Sequence, residues 1–160
     1  MGAGIAQVAL EAGYPVTLID TTQQAVDLGQ QKIQGFLERK VTKETLTGDE
    51  RDEMLSRLAT STDMEQGVDG AAMVVEAVFE DLTLKQDVFA RLDACSPPDV
   101  ILASNTSTLP ISKIASVTTN SDRVIGTHYF SPVPLMRLVE VVRGQDTSDE
   151  VAARTVALCE

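Results

Sequence analysis

Short apolar runs rich in β-branched residues recur along this chain, each followed by a longer stretch of helical periodicity. That alternation limits the fold more than any other feature. Residues 14–20, 58–62, 72–78, 100–103, 123–127 and 137–142 read as strands. Between them lie helical stripes: Ile5, Val8, Ala9 and Ala12; then Ala25, Val26, Ile33, Phe36 and Leu37; then Leu84, Val88 and Leu92. Gly13 is placed to end the first helix and Pro97-Pro98 to end the third. A short helix is expected over 110–117, and Thr147-Ser-Asp-Glu150 resembles a capping box opening a last helix. Runs that are apolar throughout, rather than alternating, point to strands buried on both faces, so the expectation is an α/β fold with a parallel, doubly wound sheet.

Composition narrows the function classes. The chain has 160 residues, enough for one domain with a real core. Thirteen Lys and Arg stand against 24 Asp and Glu, a formal charge of −11, which disfavours nucleic acid and anionic membrane surfaces as partners. No apolar stretch approaches the ~20 residues needed to span a bilayer, and no basic signal-peptide region opens the chain. Cys95 and Cys159 lie in helical stretches without metal spacing and are expected to be reduced and semi-buried, as in a cytoplasmic protein. With a single histidine and no Cys/His cluster, no metal site is expected.

That histidine, His128, lies between a strand-like run and Pro132 and Pro134, which places it at the mouth of a strand, where α/β folds keep their chemistry. Alone it would be read as a structural hydrogen-bonder. Glu140 follows in the apolar run 137–142, where a buried acid needs a partner that an imidazole can supply. Ser107 precedes it, in the polar turn Ser104-Asn-Thr-Ser-Thr108 that ends another strand. Three strand ends thus offer a hydroxyl, an imidazole and a carboxylate to one sheet edge.

The start of the chain carries a second signal. Met1-Gly-Ala-Gly4 opens a helix, and the strand after it ends in Asp20, which matches the second half of a dinucleotide-binding βαβ unit with Gly2 as the last motif glycine. Tight helix packing by Gly2 and Gly4, with Asp20 as a turn acid, explains the same residues equally well. Arg39, Lys40 and Lys43 form a basic cluster on a polar helical hairpin, read either as a solvated face or as cations directed at a phosphorylated ligand.

Together, Met1-Gly-Ala-Gly-Ile-Ala-Gln7, Val16-Thr-Leu-Ile-Asp20, Val75-Glu-Ala-Val-Phe-Glu80, Ala103-Ser-Asn-Thr-Ser-Thr108, Thr127-His-Tyr-Phe-Ser-Pro-Val-Pro134 and Leu138-Val-Glu-Val141 resemble the NAD-binding domain of the 3-hydroxyacyl-CoA dehydrogenase family, in family order over 1–160. The resemblance implies a Rossmann-type fold with a helical-hairpin insertion, NAD as cofactor, an acyl-CoA substrate and a role in fatty-acid β-oxidation or butanoate metabolism. It implies that His128 is the general base, that Glu140 orients it and stabilises its imidazolium form, and that Ser107 binds the reacting oxygen. Gly2, Asp20, Glu80, Lys85, Ser107 and Ser131 match cofactor positions; Lys43 and Ser107 match positions near the CoA substrate. Asp20 would favour NAD over NADP, whose 2′-phosphate would meet a like charge.

Three departures from the family pattern stand out. The first strand and the first two motif glycines would precede Met1. The catalytic Asn and a helical C-terminal domain used for homodimer formation would follow Glu160. Ser131 stands where many members have Asn, and it can still donate a hydrogen bond. A truncated dehydrogenase is therefore the expectation; a same-fold dehydrogenase of another hydroxy acid and a non-catalytic nucleotide-binding or interaction remnant are the alternatives.

Overall fold

A computed structural model describes residues Met1–Glu160, and the chain divides into two compact units, Met1–Gly67 with Ser131–Leu135 and Val68–Phe130 with Met136–Glu160. In the first, α1 (Gly2–Glu11) leads to β1 (Val16–Ile19), α2 (Gln23–Thr42), α3 (Gly48–Ser56), β2 (Leu58–Ser61) and α4 (Met64–Val68). The chain turns out of α1 through Gly13, whose φ of +92° is a left-handed conformation that glycine adopts without a Cβ clash. β1 and β2 pair in parallel, Val16 opposite Leu58. Thr22 caps α2, and Thr47 with Glu50 forms a reciprocal capping box on α3, so both arms of the predicted hairpin start with their donors satisfied. The core of this unit joins Ala6 and Leu10 of α1 to Ile33 and Leu37 of α2. The inward face of α1 is Ile5, Ala6, Gln7 and Leu10 rather than the expected Ile5, Val8, Ala9 and Ala12, because a helix rich in small apolar residues offers several stripes and packing selects one.

The second unit holds a four-stranded sheet in the order β3 (Met73–Glu76), β4 (Ile101–Ser104), β5 (Val124–Tyr129), β6 (Val139–Arg143). Helix α5 (Leu82–Cys95) connects β3 to β4, the short α6 (Ile111–Ala115) connects β4 to β5, and α7 (Asp149–Cys159) follows β6. The pairs β3–β4 and β4–β5 are parallel as expected, with Glu76 opposite Ser104 and Ser104 opposite Gly126. β4 is buried at every residue, which accounts for its unbroken apolar run.

The pair β5–β6 is antiparallel, so the otherwise parallel sheet carries one reversed strand at its edge. No helix separates these strands, so the chain returns without the crossover a parallel pair requires. β6 is an edge strand with no fully buried residue, so Glu140 is exposed rather than enclosed. The sheet is backed by Ile101, Ala103 and Ile125 packed with Val151 of α7. That helix is capped by the Ser148 side chain, one residue later than the capping-box pattern suggested. Thr147 is instead buried, its hydroxyl donating to the Val124 carbonyl at 2.6 Å.

Arg123, expected to open β5, lies in a 3-10 turn (Ser121–Arg123) just before it and is 4% exposed. Its guanidinium donates to Asp93 Oδ1 at 2.9 Å and to carbonyls of Pro97 and Val100, fastening the start of β5 to the end of α5. Asp93 also accepts from the amide and hydroxyl of Thr119, both at 2.7 Å. Burial alone would raise the Asp93 carboxyl, but Arg123 and Thr119 more than offset it and hold it below the usual aspartate value. A carboxyl depressed in the folded state contributes stability that is present above its unfolded value and lost as pH falls through the folded one. Asp93→Asn is therefore expected to destabilise by roughly 1.5–3 kcal/mol at pH 7, with the gap to wild type narrowing as pH drops below ~3.9. Urea midpoints of both proteins at neutral and acid pH check this.

Candidate active site

The β5–β6 register decides the central pairing. His128 and Glu140 are direct partners across the two strands, so both side chains leave the sheet on one face. His128 Nδ1 lies 2.8 Å from Glu140 Oε2. A carboxylate has no hydrogen to give, so Nδ1 is the donor and Nε2 is left as the ring nitrogen open to another group. The imidazole is 21% exposed and the carboxylate 54%, and Phe130 lies against the imidazole with ring centroids 4.4 Å apart. Alternation sends Tyr129 to the other face, where its hydroxyl meets Cys159 Sγ at 3.9 Å. Burial, reinforced by Cys159, pushes the Tyr129 phenol far above its ordinary value.

Ser107 sits just beyond the C-terminal end of β4, the strand beside β5. Its loop is held from both sides. Asn105 Oδ1 accepts from the Tyr129 amide at 2.9 Å, tying the loop to the residue after His128. Glu80 Oε1 accepts from the Thr106 hydroxyl (2.5 Å), the Ser107 and Thr108 amides (3.1 and 3.2 Å) and the Thr108 hydroxyl (3.2 Å). Burial would raise the Glu80 carboxyl, but these donors and the Lys85 charge together keep it below the usual glutamate value. Ser107 itself is exposed.

Beneath the loop lies a charge pair that sequence reading did not find. Glu76, at the end of β3, is 4% exposed, and Lys85, one turn into α5, is fully buried. Lys85 Nζ lies 2.8 and 3.0 Å from the two Glu76 oxygens and 3.6 Å from Glu80 Oε2. Glu76 also accepts from the Ser104 hydroxyl at 2.7 Å and the Val78 amide at 2.6 Å. The signal available in the sequence was Glu76 itself, an acid interrupting an apolar strand. The expected stripe of Leu84, Val88 and Leu92 is replaced on α5 by Lys85, Phe89 and Leu92, because the helix turns its one lysine inward to meet that acid.

The remaining predicted residues belong to the first unit. Asp20 lies just past β1, exposed, with Oδ1 accepting from the Thr21 amide at 2.7 Å. Gly2 opens α1, whose start has neither a side-chain cap nor an acid in its first turn. Ser131 is exposed. In the basic cluster, Lys40 is paired with Glu11 at 2.7 Å and Arg39 lies over the Phe36 ring at 4.6 Å, whereas Lys43 at the end of α2 is exposed. No helix is long and apolar enough to cross a membrane.

Removing one partner of a buried ion pair leaves an uncompensated charge. Lys85→Met is expected to destabilise by about 3–5 kcal/mol. The double variant Lys85→Met/Glu76→Gln, which keeps an acceptor for Val78 and Ser104 without the charge, is expected to recover more than half of that in urea unfolding.

The model of the family "3-hydroxyacyl-CoA dehydrogenase, NAD binding domain" matches residues 1–160. The chain is 42% identical over 160 residues to a probable 3-hydroxybutyryl-CoA dehydrogenase of Bacillus subtilis, covering 100% of this chain and 55% of that protein. It is 43% identical over 164 residues to the mitochondrial hydroxyacyl-coenzyme A dehydrogenase of Mus musculus, covering 99% and 52%. The crystal structure of (S)-3-hydroxybutyryl-CoA dehydrogenase PaaH1 from Ralstonia eutropha superposes with a TM-score of 0.96 at 39% identity, over 99% of this chain and 56% of that one. The chain spans about half the length of the curated relatives it matches. Its fold is α/β of the Rossmann type found in those dehydrogenases, and the chain belongs to the 3-hydroxyacyl-CoA dehydrogenase family, matching its NAD-binding domain.

Proposed function

We propose that the protein carrying this chain oxidises (3S)-3-hydroxyacyl-CoA, with 3-hydroxybutyryl-CoA as one candidate, to the 3-oxoacyl-CoA with NAD as oxidant. The observation that carries the reading is the His128–Glu140 pair, 2.8 Å apart in opposed register, on the strand adjoining the one that ends in the Ser107 loop. Relatives named 3-hydroxybutyryl-CoA dehydrogenase and hydroxyacyl-coenzyme A dehydrogenase support the substrate class.

The roles are those the family resemblance implies. His128 Nε2 takes the proton of the 3-hydroxyl as the C3 hydrogen leaves with its electron pair, and a C=O double bond forms at C3. Glu140 holds the ring by Nδ1 and stabilises the imidazolium that results. Ser107 donates a hydrogen bond to the same oxygen, steadying it as its bond order changes. NAD, when bound, supplies the acceptor for the hydride.

The residues present fit that cofactor. An uncapped first turn of α1, beginning at Gly2, is suited to a pyrophosphate, and the exposed Asp20 to ribose hydroxyls. The resemblance also assigns Glu80, Ser107 and Ser131 to the cofactor, and Lys85, which is fully buried against Glu76, through its ion-pair contact with Glu80. Lys43 is assigned to the CoA portion of the substrate. The proposal extends to a cytoplasmic homodimer formed through a helical domain outside these residues, and that part rests on the resemblance alone.

In the full-length protein, His128→Gln is expected to lower turnover of 3-hydroxybutyryl-CoA by roughly 10²–10⁴ while NADH affinity stays within about threefold of wild type, because the loss falls on proton transfer. Steady-state rates followed by NADH absorbance, with NADH binding followed by fluorescence, check both halves. Near-native turnover would remove His128 from the mechanism.

A further inference from the structure

We infer that Glu80 is the positioning residue of the Ser107 loop, and that Lys85 and Glu76 act on the reaction through it rather than by touching substrate. The inference rests on the reading of Ser107 as the group that holds the reacting oxygen. It goes beyond that reading by naming what fixes Ser107 in place.

The loop after β4 has no helix or strand to order it before α6 begins at Ile111. One carboxylate oxygen does that work, since Glu80 Oε1 takes two successive backbone amides, those of Ser107 and Thr108, and two hydroxyls, those of Thr106 and Thr108. Successive amides converging on one anion form a concave nest, and the peptide between Thr106 and Ser107 cannot rotate without losing a charge-assisted bond. Thr106 Oγ1 reinforces the turn by accepting from the Leu109 amide at 3.0 Å. The hydroxyls on either side of Ser107 are therefore engaged by Glu80, while Ser107 stays exposed for a ligand.

Such an anchor is useful only if it does not move. Glu80 directly precedes Asp81, the N-cap of α5, whose side chain accepts from the Leu84 amide at 2.8 Å. Its Oε2 faces Lys85 Nζ at 3.6 Å, too long for a good hydrogen bond but within ion-pair reach. The Lys85 ammonium is bound at shorter range to both Glu76 oxygens and is fully buried, which leaves it no route to a cofactor except through Glu80. Glu76 in turn holds the Ser104 hydroxyl, and its carbonyl accepts from the Asn105 amide at 2.8 Å. The loop is thus fixed at its root by Glu76 and at its tip by Glu80, with Lys85 between the two acids.

A merely structural role and a positioning role give different results in the full-length protein. Amide hydrogen exchange is measured first. Glu80→Ala is expected to speed exchange at Ser107 and Thr108 by roughly tenfold or more, while the Tyr129 amide, held by Asn105, is unchanged. Should that variant fail to fold, Glu80→Gln carries the test, with a smaller acceleration of about threefold at the same two amides. Unaltered exchange there overturns the inference. The second measurement is a double-mutant cycle on kcat with Ser107→Ala. Glu80→Ala is expected to lower kcat about 10–50-fold in the wild-type background and less than about threefold in the Ser107→Ala background, because its effect runs through Ser107. Equal losses in both backgrounds overturn it. If the wild-type protein fails to oxidise 3-hydroxyacyl-CoA, it is the proposed function that falls, and the exchange data alone decide the role of Glu80.

Discussion

A carboxylate buried at the end of a strand holds this part of the chain together. Glu76 meets a cation on α5, a hydroxyl from the end of β4 and the Val78 amide from the turn after β3. An isolated buried charge is worth several kcal/mol of destabilisation, so each of these partners is required rather than optional. The consequence is geometric. The C-terminal ends of β3 and β4 and the first turn of α5 are locked into one arrangement, and the loops that leave those ends start from fixed points.

Three glutamates then divide the work according to exposure. The Glu76 side chain is 1% exposed and serves the fold. The Glu80 side chain, at 36%, reaches from the buried cation to the Ser107 loop. Glu140, at 54%, stands on an edge strand and is hydrogen-bonded to the imidazole. An exposed ion pair contributes about 0–1 kcal/mol to stability, so the His128–Glu140 contact adds little to folding. His128 and Glu140 are reached by solvent, whereas Glu76 and Lys85 are shut away from it.

Much of this was legible in the sequence because it follows from period and punctuation. Unbroken apolar runs gave the strands, prolines and caps gave the helix ends, and residue types at strand ends gave Ser107 and His128. The run around Glu140 misled for a physical reason. β-branched residues suit a pleated surface whether it is buried on one face or two, so Val139-Glu-Val-Val142 could not reveal that it lies at an edge and runs antiparallel. The inward lysine of α5 was hidden because Glu76 and Lys85 are nine residues apart across a strand, a turn and a helix, and no local period links them. Arg123 was read as strand because its buried partner, Asp93, sits 30 residues earlier on another element.

The central claim is that Glu140 fixes His128 with its proton on Nδ1, leaving Nε2 to accept one. Nitrogen-15 NMR of the full-length protein, with the His128 signals assigned by difference from His128→Gln, measures which tautomer the neutral ring adopts. The account predicts the Nδ1–H form in the wild type and its loss in Glu140→Ala, where the two tautomers compete freely. A wild-type ring protonated on Nε2, or a tautomer indifferent to Glu140, would contradict it.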